Sequence, residues 1–491
     1  SITINNPINT AGITSVTLGT GNFVAGDTAG DSIVSGGNYN TLVGSAAGTA
    51  TTTGDYNSAL GRNALGSNTT GASNVAVGRN TMFTNTTASN NTAVGDSALY
   101  DNTTGSNNVA TGMNALANNT TGDDSVAIGF QALNVNTTGG GIIAIGSGAL
   151  DANTTASHNV GVGTNALGGN TTGTANVALG HRALLTNTTA SNNTAVGYDS
   201  LKANTTGADN VAVGYSALLV NTTGYNNTAL GAYAQDHNTT GFSNTALGFA
   251  ALDANTTGNS NTALGAYALT RATTGIYNVS VGTAAAQSIT TGNSNSAVGY
   301  LALEGCTTGT GNIAVGLTAG DTTTTGQFNI FIGPNTRGAA VGNNQEIVIG
   351  TTGNGDLAGK GANTGYINPN GGGMYQGNNA SAWAQTSDER LKKNIVNNDV
   401  GLAKINAIQV RNFDYKTAEE VESDGVLDSS QAIIKTGTQL GVIAQELELI
   451  CPESVKTETT GVKTVAADNL HWHMLNAIKE LSAKNDALET Q

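Results

Sequence analysis

The sequence predicts a mainly β protein in which a long parallel β-solenoid precedes a smaller α+β domain. A glycine recurs every 17 residues from Gly44 to Gly350, nineteen times and without insertion or deletion. The residues before each glycine alternate in character as those of a β-strand do. Lys, Glu, Leu and Ile in helical patterns concentrate only after residue 386. A constant period indicates a solenoid, because each unit must stack on the previous one in a fixed register.

The chain divides into four segments by this period. Residues 1–39 do not keep the 17-residue phase, and we interpret them as an N-terminal attachment or capping segment. Residues 40–350 form the repeat shaft, and residues 351–386 form a neck or tip that breaks the repeat. Residues 387–491 form a separate C-terminal domain.

Each repeat can be numbered from its glycine, which we call position 0. Asn lies at position −4, a branched residue or Thr at −3, Ala at −2 and Val, Leu or Ile at −1, as in residues 74–78. Ala-Leu usually follows at +3 and +4, and Asn-Thr-Thr-Gly at +7 to +10. We expect the branched residues and Leu to fill the coil interior and the Ala to face a crowded neighbouring chain. Asn-Thr-Thr-Gly is expected to form a second turn with a short second strand.

Composition excludes several classes of function. Only 10% of the 491 residues are charged and 5% are aromatic, too few for several ordinary globular cores. The net charge of −15 and the lack of a basic stretch exclude nucleic acid as a partner. No apolar run approaches a membrane span, so membrane insertion is not expected.

No cofactor or metal is expected from the sequence. Cys306 and Cys451 lie in different segments and belong to no metal-binding motif. His471 and His473 flank Trp472, and we interpret all three as packing residues because no third ligand is evident in the sequence.

The neck or tip carries the candidate receptor-binding residues. It collects Tyr366, Tyr375 and Trp383 in a segment otherwise rich in Gly and Asn. Exposed aromatic rings suit stacking against a glycan, although such residues also pack small tip domains.

The C-terminal domain carries two motifs in a characteristic order. Residues 387–395 read Ser-Asp-Glu-Arg-Leu-Lys-Lys-Asn-Ile, and residues 440–455 read Leu-Gly-Val-Ile-Ala-Gln-Glu-Leu-Glu-Leu-Ile-Cys-Pro-Glu-Ser-Val. A helical run ends the chain, with Leu470, Met474, Ala477, Ile478, Leu481 and Leu488 at helical spacing. Together these segments resemble the endosialidase-type intramolecular chaperone domain of phage tailspikes and fibres. A trimeric coiled coil is expected for the last helix, with a packed surface helix as the alternative.

The resemblance implies assembly followed by self-cleavage. In that family the domain trimerises, drives fibre assembly and cuts itself off, here between Thr386 and Ser387. Ser387 matches the family nucleophile and Lys392 the lysine of its Ser-Lys dyad. The Ser387 hydroxyl lies next to the Thr386 carbonyl by covalent geometry, so the attack is chemically reasonable. The alternative is that Ser387 caps a helix and Lys392 is a surface charge.

The repeats are similar to the head repeats of YadA-like trimeric adhesins, which form left-handed parallel β-rolls. The segments Asn-Val-Ala-Val-Gly (74–78) and Ser-Val-Ala-Ile-Gly (125–129) carry this similarity. It implies a homotrimer of three rolls side by side, in which the Ala at −2 suits a close contact between chains.

These features predict a homotrimeric virion fibre, specifically a phage tail fibre. Such a chain would be made in the host cytoplasm, join other virion proteins through its N-terminus and bind a host surface glycan or protein extracellularly. Self-cleavage would be its only enzymatic activity. A bacterial trimeric surface adhesin and a Thr-rich ice-binding solenoid are the alternatives.

Overall fold

The structure is a computed structural model that divides the chain into two compact units, Ser1–Thr386 and Ser387–Gln491. It describes residues 19–351, 355–369, 374–376, 384–385, 392–424, 433, 436–457 and 461–490. Each unit is treated by itself below.

The first unit is a parallel β-solenoid with one three-residue strand in most coils. Strands β1 to β19, β21 and β23 pair in parallel in chain order, which gives 21 stacked coils and a rod of about 100 Å at a strand spacing of about 4.8 Å. The first nineteen strands are β1 Phe23–Ala25, β2 Thr41–Val43, β3 Ser58–Leu60, β4 Val75–Val77, β5 Thr92–Val94, β6 Val109–Thr111, β7 Val126–Ile128, β8 Ile143–Ile145, β9 Val160–Val162, β10 Val177–Leu179, β11 Thr194–Val196, β12 Val211–Val213, β13 Thr228–Leu230, β14 Thr245–Leu247, β15 Thr262–Leu264, β16 Val279–Val281, β17 Ser296–Val298, β18 Ile313–Val315 and β19 Ile330–Ile332.

The predicted parallel β-solenoid of 17-residue coils is confirmed. In β7 and β8, Val126, Ala127 and Ile128 pair with the residues 17 positions later. The stack also extends beyond residues 40–350 at both ends through an 18-residue coil, from Phe23 to Thr41 and from Ile347 to Gly365. The expected second strand per coil is wrong, because the Asn-Thr-Thr-Gly segments of the described coils form turns and bends.

The orientation expected for the strand side chains is also wrong. Ala127, at position −2, is fully buried inside its own coil, as are Ala132 and Leu133 of the following turn. Ile128, at −1, points outward and is 38% exposed. Because Leu133 reaches into the narrow interior from the opposite side, only a methyl group fits beneath the strand. The Ala row at −2 and the Ala-Leu pair at +3 and +4 therefore form the core of each chain, and the Val, Ile and Leu side chains at −3 and −1 lie on its surface.

Left-handed backbone conformations shape every coil. The glycine at position 0 has a φ near +135°, for example +130° at Gly112 and +139° at Gly129. The Leu at +4 is left-handed too, with φ of 52° at Leu116 and 54° at Leu133. This conformation is uncommon for a bulky residue, so burial of the Leu side chain must offset its cost.

Two ladders of buried Asn run along the solenoid. At position +7, Asn119 Nδ2 donates to Asn102 Oδ1 at 2.8 Å and to the Gly122 carbonyl of its own coil at 2.9 Å. At position −4, Asn295 Oδ1 accepts from the backbone N–H of Asn312 at 3.0 Å. The amide groups thus satisfy backbone groups that the turns leave unpaired inside the stack.

The solenoid ends in a small capping region. Glu346 lies at position −4 of its coil, where most of the preceding coils have Asn. Its carboxylate accepts hydrogen bonds from the backbone N–H groups of Ala339 and Gly361 and from the Asn343 side chain. The strands here are β20 Thr336–Arg337, β21 Ile347–Thr351, β22 Leu357–Ala358, β23 Gly365–Pro369, β24 Met374–Gln376 and β25 Ala384–Gln385. Strands β23, β24 and β25 are antiparallel, which ends the parallel stack.

The second unit is a small α+β unit with little interior. Its elements are α1 Leu402–Ala407, β26 Arg411–Phe413, α2 Ala418–Asp424, β27 Gln439–Gly441, α3 Ala444–Glu448, the 3₁₀ helix Pro452–Ser454, β28 Val455–Thr457, β29 Lys463–Val465 and α4 Ala467–Glu489. Strand β26 pairs antiparallel with β27, β28 pairs with β29, and α1 packs on α4. Among its described residues, five side chains are buried: Leu447, Cys451, Ser454, His473 and Ala477.

Candidate cleavage site and assembly surfaces

The predicted cleavage residues lie at the border of the two units. The division between the units falls between Thr386 and Ser387. Both residues lie outside the part of the chain that the structure describes. Lys392 is described and is exposed in the single chain, at the start of an extended segment that leads to α1. The roles of Ser387 and Lys392 in cleavage stay predictions.

The predicted receptor residues differ in their surroundings. Tyr366 is only 8% exposed, with its hydroxyl accepting from Asn368 at 3.0 Å and the Lys360 ammonium 4.5 Å above its ring. Tyr375 pairs with it across β23 and β24 and is half-buried against the solenoid core. Trp383 lies outside the described residues. In the single chain, therefore, little of the Tyr366 ring can reach a ligand.

A continuous apolar surface follows the strands of the solenoid. The side chains at −3 and −1 flank the buried Ala row on the outer face, and many are 37% to 44% exposed. Examples from β4 to β19 are Val75, Val94, Ile128, Ile143, Leu179, Val211, Leu230, Leu247, Leu264, Val279, Val298, Ile313 and Ile332. Contiguous apolar surface of this extent marks an interaction site in a soluble protein. We call it the strand face.

Helix α4 carries a second unpaired apolar surface. Met474, Ile478, Leu481 and Leu488 are 49% to 70% exposed, and together with Asn485 they are spaced alternately by four and three residues. This spacing is that of a coiled-coil seam. Of the predicted seam residues, Ala477 is instead buried, and Leu470 is half-buried. Among the described residues, no helix combines the length and the apolar character needed to cross a membrane.

A polar cluster joins α4 to the 3₁₀ helix and to the segment before α1. His473 Nδ1 faces the Val400 carbonyl at 3.0 Å, and its Nε2 faces Glu453 Oε1 at 2.7 Å. The Lys404 ammonium donates to the same carboxylate oxygen at 2.6 Å. This hydrogen bond is the largest cause that lowers the pKa of Glu453 to about 2. Cys451 is fully buried beside them, and burial raises the pKa of its thiol.

The sequence interpretation of the histidines was therefore incomplete. His473 is buried, but its partners Glu453 and Cys451 are 20 and 22 positions away, where no spacing motif connects them. His471 and Trp472 are exposed in the single chain rather than packed.

An exposed aromatic row crosses six consecutive coils of the solenoid and was not anticipated from the sequence. Neighbouring ring centroids are 5.0 to 5.8 Å apart, first stacked and then edge-to-face. Where position +1 is Ala, in the coils of Gly231 and Gly265, a Tyr at +2 continues the row. The members are His181, Tyr198, Tyr215, Tyr233, Phe249 and Tyr267.

Comparison with known proteins matches part of the second unit to a family model. Residues 387–456 match the family model described as the chaperone of endosialidase, and the match begins at the first residue of the second unit. Comparisons with curated proteins and with solved structures gave no match. The chain thus joins a long parallel β-solenoid to a C-terminal unit of which residues 387–456 match the endosialidase-chaperone family model.

Proposed function

We propose that this chain forms a homotrimeric virion fibre, a phage tail fibre, whose C-terminal domain assembles the trimer and then cleaves itself off. The observation that carries the proposal is the order of the two parts. A solenoid of 21 coils is followed by a family match that begins at Ser387. An intramolecular chaperone suits a repetitive shaft, because identical coils offer many wrong registers when three chains align.

Trimerisation is supported by the apolar surface that each unit exposes in isolation. The strand face of the solenoid and the seam on α4 both need partners. In the second unit, side chains such as Leu440 and Leu449 are 75% and 88% exposed, so the single copy has almost no core. Identical copies around one axis would bury all these surfaces at once.

The proposed cleavage is an acyl shift followed by hydrolysis. Ser387 Oγ attacks the Thr386 carbonyl carbon, the Thr386–Ser387 C–N bond breaks, and the Ser387 nitrogen keeps the electron pair and gains a proton. Water then hydrolyses the ester and leaves a carboxylate on Thr386. Lys392 takes the hydroxyl proton, which requires the neutral amine, and burial favours that form. Because Lys392 is exposed in the single chain, the burial would come from neighbouring copies, so that cleavage follows assembly.

Intact-mass analysis of the denatured protein tests this proposal. Wild type should give two fragments divided at Thr386–Ser387, whereas Ser387→Ala and Lys392→Ala should give full-length chains. Ser387→Ala should still form trimers, because its hydroxyl serves chemistry. If wild type stays full-length in the trimer, the protease role is wrong while the chaperone role stands. If Ser387→Ala is cut at the same bond, the nucleophile assignment is wrong.

Attachment to the host is the final part of the proposal. Tyr366, Tyr375 and Trp383 at the tip remain candidate receptor residues, and the aromatic row is a second candidate because its rings are exposed. Deletion of residues 370–386 would alter the tip, and Tyr215→Ala with Tyr233→Ala would alter the row. Loss of host adsorption in one variant identifies the surface used. Antibody labelling of purified virions separates the fibre from a bacterial adhesin, which would label uninfected cells instead.

A further inference from the structure

We propose that Cys451, Glu453 and His473 form a zinc site in the second unit. Their candidate ligand atoms, a thiol Sγ, a carboxylate oxygen and an imidazole nitrogen, all lie within 4.8 Å of one another. Sulfur, nitrogen and oxygen donors of these types are the ones that zinc takes in proteins, with bonds of about 2.0–2.3 Å.

The orientation of His473 supports this assignment. Its Nδ1 is held by the Val400 carbonyl at 3.0 Å, which leaves Nε2 directed at Glu453 and within 4.8 Å of the Cys451 sulfur. Histidines that bind metals almost always donate their second ring N–H to such an acceptor, because this fixes the tautomer and the ring orientation. The supporting contact is therefore present without the ion.

Burial also favours a metal at this place. Cys451 is 0% exposed and His473 is 5% exposed, in a unit that buries only five of its described side chains. The hydroxyl of Ser454, the residue after Glu453, is buried without a hydrogen-bond partner among the described residues. A buried polar group with no partner calls for a water or an ion nearby. Glu453 is the more open ligand, with 39% of its side chain exposed.

Lys404 is the feature that opposes the ion. Its ammonium binds Glu453 Oε1 at 2.6 Å, so a zinc ion would coordinate the other carboxylate oxygen and lie near a positive charge. Like charges repel, and the lysine should weaken zinc binding. Removal of this charge should thus strengthen binding, whereas removal of a ligand should weaken it.

Zinc at this site would fasten the 3₁₀ helix to α4. Cys451 and Glu453 lie at the start of the 3₁₀ helix, and His473 lies in the second turn of α4. Cys451 binds as a thiolate, so its proton leaves to solvent when the ion enters. The bound ion would stabilise a unit that has few other interior contacts.

The test uses the full-length protein with zinc and cobalt as probes. After dialysis against zinc, wild type should retain one zinc per chain more than Cys451→Ser does. Cobalt bound to wild type should give a thiolate-to-metal charge-transfer band. Cys451→Ser should lack this band, and in His473→Gln the band should be at least tenfold weaker. Lys404→Met should bind either metal more tightly than wild type. Cys306→Ser and His471→Gln are the matched controls and should behave as wild type.

Several results would overturn the zinc site. The proposal fails if wild type retains no more zinc than Cys451→Ser, or if the cobalt band survives in Cys451→Ser. Cobalt bound instead by the half-buried Asp236 and Asp253 and the exposed His237 of the solenoid would give no thiolate band and would count against the site. If a ligand variant fails to fold, the wild-type band and its change in Lys404→Met decide the question, because neither depends on that variant.

Discussion

At the residue scale, two glycine positions in each coil show how different constraints act on the same residue type. The glycine at position 0 has a strongly positive φ, and a side chain on Gly112 would lie 2.4 Å from the Gly129 carbonyl oxygen. The residue at +10 has no such φ, and Ala88, Ala156 and Ala190 replace glycine there in three coils. A side chain on Gly105, at +10, would lie equally close to the next coil, 2.3 Å from the Gly122 carbonyl oxygen. The positive φ is therefore the constraint that sets position 0 apart from +10.

Gly112→Ala should destabilise the shaft more than Gly105→Ala. The strained φ alone costs about 1–3 kcal/mol in each chain. Both substitutions meet a similar contact with the next coil, so the φ accounts for the expected difference. Gly105 lies at +10 and is the matched control. Chemical unfolding followed by circular dichroism measures both. Equal losses would show that φ is not the deciding constraint.

Asp151→Asn should stabilise the shaft at pH 7. Burial is the largest cause that raises the pKa of Asp151, as it does for Asp236 and Asp321 at the same +5 position. A raised folded-state pKa means that the charged form opposes folding at neutral pH. This penalty disappears as the pH falls below the unfolded value of about 3.9.

The pH dependence of the unfolding free energy distinguishes removal of the buried charge from a gain in stability that has another cause. The difference in unfolding free energy between Asp151→Asn and wild type should be positive at pH 7 and close to zero at pH 3.5. Asp124→Asn, at an exposed position, serves as the control. A gain that is equal at both pH values would contradict the electrostatic cause.

At the scale of the element, the Asn ladder at +7 is a cooperative unit with defined ends. Within it, Asn153 makes three side-chain hydrogen bonds, to Asn136, to the Ala156 carbonyl and from Asn170. The ladder stops at Asn255, whose Oδ1 is left without a partner because Ala272 follows it. The Thr at +8 adds a parallel row, for example from the Thr103 hydroxyl to the Thr120 carbonyl at 2.9 Å.

Asn153→Ala should therefore cost more stability than Asn255→Ala. The first change removes three hydrogen bonds, and the second removes only the two that Asn255 donates. The expected difference is about 1 kcal/mol, the net value of one such bond. Comparison of urea midpoints measures it, and a larger loss in Asn255→Ala would argue against an additive ladder.

At the scale of the whole molecule, the outward orientation of the side chains at −3 and −1 decides where the chains of the proposed trimer would meet. The Ala row is enclosed in each coil, so it cannot line the trimer axis as the sequence analysis expected. The strand face, with Ile128 and Ile145 in neighbouring coils, is the surface left for other copies.

Ile128→Asp combined with Ile145→Asp should impair trimer formation while leaving each coil folded. The added carboxylates would repel one another where three strand faces meet. Ala127→Phe should instead disrupt the coil itself, because the fully buried Ala leaves no space for a ring. Size-exclusion chromatography with light scattering and circular dichroism distinguish the two defects. Normal trimer yield from the double Asp variant would exclude the strand face as the interface.

The sequence by itself determined the solenoid, its period and the start of the C-terminal domain. The strict spacing of glycines could arise only from coils stacked in one register, and the motif that begins at Ser387 coincides with the family match. The same motif predicts cleavage between Thr386 and Ser387, which stays a prediction.

Only the tertiary structure decided which face of each strand is inside and which distant residues meet. An alternating pattern defines two faces of a strand, but it does not determine which face the rest of the coil will cover. Leu133 reaches across the coil in a left-handed conformation that its residue type does not predict, and the interior left beside it admits Ala127 alone. In the same way, His473 meets Cys451 and Glu453 because α4 packs on the 3₁₀ helix, a contact that no local spacing encodes.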